Sequence, residues 1–266
     1  AMTPGIGEVS GLIVLFLLSI LSYRSSMTSL SGTIAGLILG GTIIFFGGWQ
    51  WFVVFIAFFL LGSLATKFRL TEKVMKGVVR EKKGSRGWKN AVSNGLPAVI
   101  AALAYPPFPP AGIFFASSLS SALADTLATE IGVLSLREPR LITNPSRRVP
   151  VGFSGGITPE GYIAALLGSL VISSMSSSLG VVNFGFKGFL SVVLAGLLGS
   201  TLDSFIGSTI QAKYYCPSCK RVVETPTHCD GQTEFVGGLK LVDNHMTNLL
   251  SNTIAGFAGL LIYYAL

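Results

Sequence analysis

Long apolar stretches separated by short polar ones set the pattern of this chain. Ile6–Leu21, Leu30–Phe46, Trp49–Leu64 and Met246–Leu266 are nearly continuous apolar runs. Each is about long enough to cross a hydrocarbon core of ~30 Å. Weaker runs that carry polar residues bring the expected membrane segments to eight: about 6–22, 28–46, 48–65, 91–104, 111–133, 160–178, 188–210 and 246–265. The fourth ends in Tyr105-Pro106-Pro107-Phe108-Pro109-Pro110, a stiff turn that no helix continues through. Thr158-Pro159-Glu160 marks the start of the sixth, with a capping hydroxyl, a proline at the first helical position and an early acid. The pattern predicts an all-α polytopic membrane protein. It divides into an N-terminal three-helix region (1–66) and a five-helix membrane domain (67–266) with loops 67–90, 134–159 and 211–245.

Composition sharpens this picture. Half the residues are hydrophobic and 12% are charged, against roughly 25% charged in soluble domains. A soluble enzyme, a disordered tail and a secreted disulfide scaffold are excluded. The first run has no basic region before it and no cleavage site after it, so it reads as a retained helix. The net charge of +7 is explained by position. With eight spans, all but Lys187 of the 19 Lys and Arg residues fall in loops on one side. Basic loops face the cytoplasm, so both termini are expected outside. A basic run along a membrane edge meets lipid headgroups, and no nucleic-acid partner is expected.

Carboxylates inside apolar helices cost a few kcal/mol each and line cavities or meet cations. Asp125 and Glu130 lie in the fifth segment and Asp203 in the seventh. Ser118, Ser121, Asp125 and Thr129 share one helical face, as do Gly196, Ser200, Asp203, Gly207 and Gln211. Glu130 stands about 140° around from Asp125. The fifth and seventh segments both place Leu before an Asp-Ser/Thr pair, and Asn90/Asn94 is echoed by Asn244/Asn248. A parallel internal repeat would account for this. Two loops carry anion-binding chemistry. One holds Lys82 and Arg86 among glycines before a helix start; the other holds Gly152, Gly155 and Gly156 near Arg148 and before Thr158. Neither is a Walker loop. Acids that hold Mg²⁺ beside glycines and cations that hold phosphates are the parts of phosphoryl transfer.

All three cysteines fall in the loop after the seventh segment, as Cys216-x-x-Cys219 followed by His228-Cys229. Three cysteines make no disulfide framework, and this loop is on the reducing side. A knuckle plus a second soft-ligand pair has the spacing of a structural Zn²⁺ site. Adjacent His228 and Cys229 rarely share one ion, which leaves His245 or Asp230 as alternative ligands.

Five stretches together resemble a known family: Gly84–Gly95, Ala124–Gly132, Val149–Thr158, Gly199–Gly207, and Cys216-x-x-Cys219 with His228-Cys229. It is the integral membrane family that includes plant phytyl-phosphate kinase and vertebrate transmembrane protein 19. The resemblance runs in order from about residue 65 to the C-terminus. It implies phosphate transfer from a nucleoside triphosphate, CTP foremost, to an isoprenoid monophosphate in the bilayer. Carried onto this chain, Asp125, Glu130 and Asp203 would hold Mg²⁺. Lys82, Arg86, Asn94, Arg148, Gly155, Gly156, Thr158 and Asn248 would bind nucleotide or phosphate. Two other classes use the same acids: a cation- or proton-coupled transporter, and a CTP-dependent nucleotidyltransferase making a CDP-lipid.

Overall fold

A computed structural model describes residues 6–78, 85–183 and 185–266. Among these the chain forms eight long helices, one short helix and eight short strands. Helices α1 (Ile6–Arg24), α2 (Leu30–Gly47) and α3 (Trp49–Lys67) follow one another closely, and the short α4 (Leu70–Met75) lies beyond α3. Then come α5 (Trp88–Ala104), α6 (Ala111–Gly132), α7 (Pro159–Ser178), α8 (Gly185–Thr209) and α9 (Asn244–Ala265). Strands occupy two of the loops. β1 (Arg140–Leu141), β2 (Asn144–Arg148) and β3 (Gly156–Ile157) form one sheet in the order β2-β1-β3. β4 (Lys213–Cys216), β5 (Arg221–Val223) and β8 (Glu234–Gly237) form another in the order β5-β4-β8, and β6 (Thr227–His228) pairs with β7 (Gly231–Gln232).

The helix boundaries follow local chemistry. Ser29 caps α2 by accepting from the Gly32 amide, and Thr158 caps α7 by accepting from Gly161. The proline turn separates α5 from α6, as its sequence requires. Among the described residues, six helices (α1, α2, α3, α6, α7 and α8) are long and apolar enough to cross a membrane. Helix α5, at 17 residues, is shorter, and α9 buries polar Thr247, Asn248, Ser251 and Asn252. Both pack inside the bundle, against each other and against α6.

Helix α6 is the centre of the bundle. Of its membrane-length window, 78% is buried, and it packs on α3, α5, α7, α8 and α9. Small residues permit this crowding. A methyl added at Gly196 would stand 2.1 Å from the Ser120 hydroxyl; at Gly199, 2.1 Å from Ser121; at Gly259, 2.0 Å from Ser117. One apolar cluster joins Leu15, Ile43 and Trp51 of the first three helices to Phe115, Ile172 and Val192 of the later ones.

Chain direction alternates, so the polar segments gather at one end. Thr28 bridges to Arg86, Lys76 donates to the Val133 carbonyl, and Gly155 sits on Ser204 and Ser208. At the opposite end Trp51 packs against Tyr105 and Phe115, and Gly112 abuts the Val181 carbonyl. The segments that carry most of the basic residues therefore share one end of the molecule.

Candidate active site

Two polar cavities open at that end, and Asp125 lines both. The first, about 750 Å³, lies between Asp125 on α6, Asp203 on α8 and the glycine loop 152–158, with Gln211 and Glu224 on its wall. The second, about 880 Å³, takes in Lys73, Arg86, Asn90, Glu130 and Asn248. Thr129, Gly152 and Asn244 also belong to both. The site thus has two chambers meeting at one carboxylate.

Asp203 is held from α9. Its Oδ2 accepts from the Ser251 hydroxyl at 3.0 Å. With the Asn248 amide nitrogen turned toward its acceptors, Asn248 donates to the same oxygen at 3.1 Å and to the Asn244 carbonyl at 3.0 Å. Asn94 stands one turn deeper. Its Oδ1 accepts from Asn252 at 3.1 Å, while Asn252 accepts from Ser121 at 2.8 Å. This chain of buried amides ties α5, α9 and α6 together beneath the acids. Asn252 completes an Asn244-x₃-Asn248-x₃-Asn252 series whose single-face spacing was the available signal for it.

Glu130 points into the second chamber, where Lys73 donates to it at 2.7 Å. Lys73 is 3% exposed and also donates to the Ala65 carbonyl at 2.7 Å, so the cation is anchored by both α3 and α6. Arg86 is buried too, with its guanidinium against Gly62 of α3 and its backbone paired with Met27 and Ser29. Arg148 is elsewhere: it lies on exposed β2 and pairs with exposed Glu138 at 2.9 Å. Lys82 lies outside the described residues.

The glycine loop is built against α8. Gly155 has φ +79°, and a methyl there would lie 2.4 Å from Ser208 Cβ and 2.6 Å from the Ser204 carbonyl. Only glycine meets both demands. The Gly156 amide closes a turn onto the Phe153 carbonyl at 2.9 Å. These glycines thus bring the loop close to Asp203, and the Gly156 N–H is spent within the turn. Ser154 donates to Glu224, linking this loop to the strand sheet beyond α8. Lys213 lies at the same joint, donating to the Ser208 carbonyl; burial lowers its pKa, and nearby Glu224 partly offsets this. Gln211, 2% exposed, accepts from Thr247 through Oε1, while its Nε2 has no partner among the described residues. A buried donor without an acceptor costs about 1–3 kcal/mol, and this one stands at the wall of the first chamber. Thr158 also lines that chamber, although its hydroxyl serves as the α7 cap.

Cys216, Cys219, His228 and Cys229 converge, with their ligand atoms all within 4.8 Å of one another. Tetrahedral zinc with Zn–S near 2.3 Å needs ligand separations of roughly 3.8 Å, so the donor set fits the ion. The neighbours His228 and Cys229 both reach the cluster, with His228 Nδ1 lying 3.2 Å from Cys229 Sγ and 3.5 Å from Cys219 Sγ. Left-handed backbone at Cys229 (φ +49°) and Asp230 (φ +57°) turns the chain sharply here. The Cys219 backbone amide, and then His228, lower the Cys216 pKa to about 6. That favours the thiolate a metal requires. His245 lies in the first turn of α9, apart from this cluster.

A helical bundle with membrane-length helices and a polar, acid-lined site at one end defines an integral membrane protein. The chain belongs to the family described as integral membrane protein DUF92, which matches residues 13–256, in keeping with the resemblance carried by its motifs. It is 28% identical over 260 residues to an uncharacterized membrane protein of Methanocaldococcus jannaschii, covering 96% of this chain and 94% of the relative. Protein PGR of Arabidopsis thaliana is 28% identical over 281 residues, with 96% of each chain covered. Protein VTE6, chloroplastic, of the same plant is 29% identical over 194 residues, covering 70% of this chain and 57% of the relative. No solved structure matches the chain.

Proposed function

We propose that the protein is a prenyl-phosphate kinase that transfers the γ-phosphoryl group of CTP to an isoprenoid monophosphate. One observation carries this reading: two polar chambers meet at Asp125, one bounded by the glycine loop and Asp203, the other by Lys73 and Arg86. A donor and an acceptor, each bearing phosphate, could approach from the two sides of one carboxylate. The resemblance to the family of plant phytyl-phosphate kinase supports the class of acceptor.

The nucleotide triphosphate occupies the first chamber, with the Gln211 amide directed at one of its oxygens. Asp125 and Asp203 supply hard carboxylate oxygens suited to Mg²⁺, and Asn248 and Ser251 fix the second of them. Bound Mg²⁺ would neutralise charge on the β- and γ-phosphates. The acceptor phosphate rests near Arg86 and Lys73, with Glu130 holding the lysine in place. An acceptor oxygen forms the new bond to γ-phosphorus as the bond to the β,γ-bridging oxygen breaks, releasing CDP. The acceptor is already anionic near pH 7 (second pKa about 6), so no general base is needed. In this reading α5 and α9 complete eight spans, and the site faces the cytoplasm. Cys216, Cys219, His228 and Cys229 would hold Zn²⁺, which would shape the strand sheet that braces the glycine loop.

The test is detergent-purified protein incubated with Mg²⁺, CTP and geranylgeranyl phosphate, with products identified by mass. CDP plus geranylgeranyl diphosphate is expected. Inorganic diphosphate plus a CDP-linked lipid would replace the kinase by a nucleotidyltransferase. No turnover in folded protein, across several nucleotides and prenyl phosphates, would leave cation- or proton-coupled transport as the reading of the acids.

A further inference from the structure

A third cavity, about 640 Å³, lies away from the acids, between α1, α2, α3 and α5. Leu18, Leu39, Phe55 and Phe59 supply apolar walls, and Arg86 and Asn90 line it as well. Those same two residues line the second polar chamber, with Glu130 and Asp125. The apolar groove and the polar chamber therefore adjoin at a buried guanidinium. Such a site fits an amphiphile with one anionic end and one apolar chain.

We infer that helices α1–α3 build the groove for the acceptor's isoprenoid chain, and that Gly36 of α2 sets the chain length admitted. This rests on the kinase reading for the identity of the acceptor. The phosphate lies at Arg86 and Asn90, within reach of the second chamber, and the chain runs from there between α2 and α3. Two glycines of α2 divide the work. At Gly32 an added methyl would lie 2.2 Å from the Arg86 carbonyl, so its lack of a side chain brings the Arg86 segment against α2. At Gly36, which lines the groove, an added methyl meets nothing within 4 Å among the described residues. Its backbone is helical, so a larger side chain there enters open space.

The experiment compares wild type, Gly36→Phe and Gly41→Phe. Gly41 is also helical and open, and it does not line the groove. Binding of geranylgeranyl phosphate and of the much shorter dimethylallyl phosphate is measured by native mass spectrometry without nucleotide, and turnover is measured separately. Gly36→Phe is expected to weaken geranylgeranyl phosphate by about tenfold or more, on the scale of hydrophobic pocket discrimination. Dimethylallyl phosphate should bind unchanged, and Gly41→Phe should match wild type with both. Equal binding of the long chain by wild type and Gly36→Phe would overturn the assignment. So would equal loss of both ligands in Gly36→Phe, or equal weakening in Gly41→Phe. Phosphatidic acid competing as well as geranylgeranyl phosphate would overturn the isoprenoid occupant. Binding that depends on Gly36 without any turnover would keep the groove and remove the kinase. Turnover whose chain-length profile ignores Gly36 would keep the kinase and remove the groove.

Discussion

Asp203 is held by two neighbours on a single oxygen, Ser251 and Asn248. Groups that orient a metal ligand typically cost 10–100-fold in metal affinity or activity when removed. Ser251→Ala is therefore expected to raise the Mg²⁺ concentration for half-maximal turnover by roughly 10–100-fold, read from a magnesium titration. Asp203→Asn should abolish turnover while leaving the thermal transition in place; full activity in Asp203→Asn would sink the metal assignment. The Lys73–Glu130 pair predicts the opposite phenotype, because its cation is 3% exposed. Glu130→Leu alone strands the buried ammonium and should destabilise the fold by ~3–5 kcal/mol. Adding Lys73→Met should restore much of that loss in detergent melts. Asp125 and Asp203 were legible in sequence because a carboxylate in an apolar run is costly wherever it lies. Lys73 was not, because it sits among other cations and differs from them only by meeting a residue 57 positions away.

At the level of elements, the cysteine hairpin and the glycine loop form one assembly through Ser154 and Glu224. Purified protein is expected to carry about one zinc per chain by mass spectrometric metal analysis, and Cys219→Ser to carry none. Glu224→Gln should weaken the link between the two loops and raise KM for the nucleotide more than it lowers kcat. An unchanged nucleotide KM would dismiss the brace. The long helices were readable from their apolar runs and caps, whereas the strands were not. Strands of two to five residues are too short to display an alternating pattern. The glycines were read for their amides. What the sequence could not convey is that Gly155 rests on α8 and that the Gly156 amide is already used in a turn. The first depends on where Ser204 and Ser208, some fifty positions away, come to lie; the second is a local bond to Phe153.

For the whole molecule, alternating chain direction places the basic segments at one end, and Lys187 lies in the first turns of α8, which begins at the other. A Lys187→Cys variant in intact cells should be labelled by an impermeant maleimide. An Arg137→Cys variant, changed at an exposed position, should label only after permeabilisation, and the reverse pattern would invert the orientation. The apolar runs carried the long helices of this architecture, six of them of membrane length among the described residues, because hydrophobic length acts on each segment separately. How α6, α8 and α9 lock together did not show in those runs. That contact is written in glycines facing serines, which composition alone renders as unremarkable small residues. It also bears on how variation in this protein should be read. At Gly196, Gly199 and Gly259 even one added methyl meets a serine at about 2 Å. A saturation mutagenesis screen scored by growth would mark these positions as intolerant as Asp203, though none lines any of the three cavities. Scored by protein abundance instead, the glycine variants should disappear from the membrane and Asp203→Asn should persist.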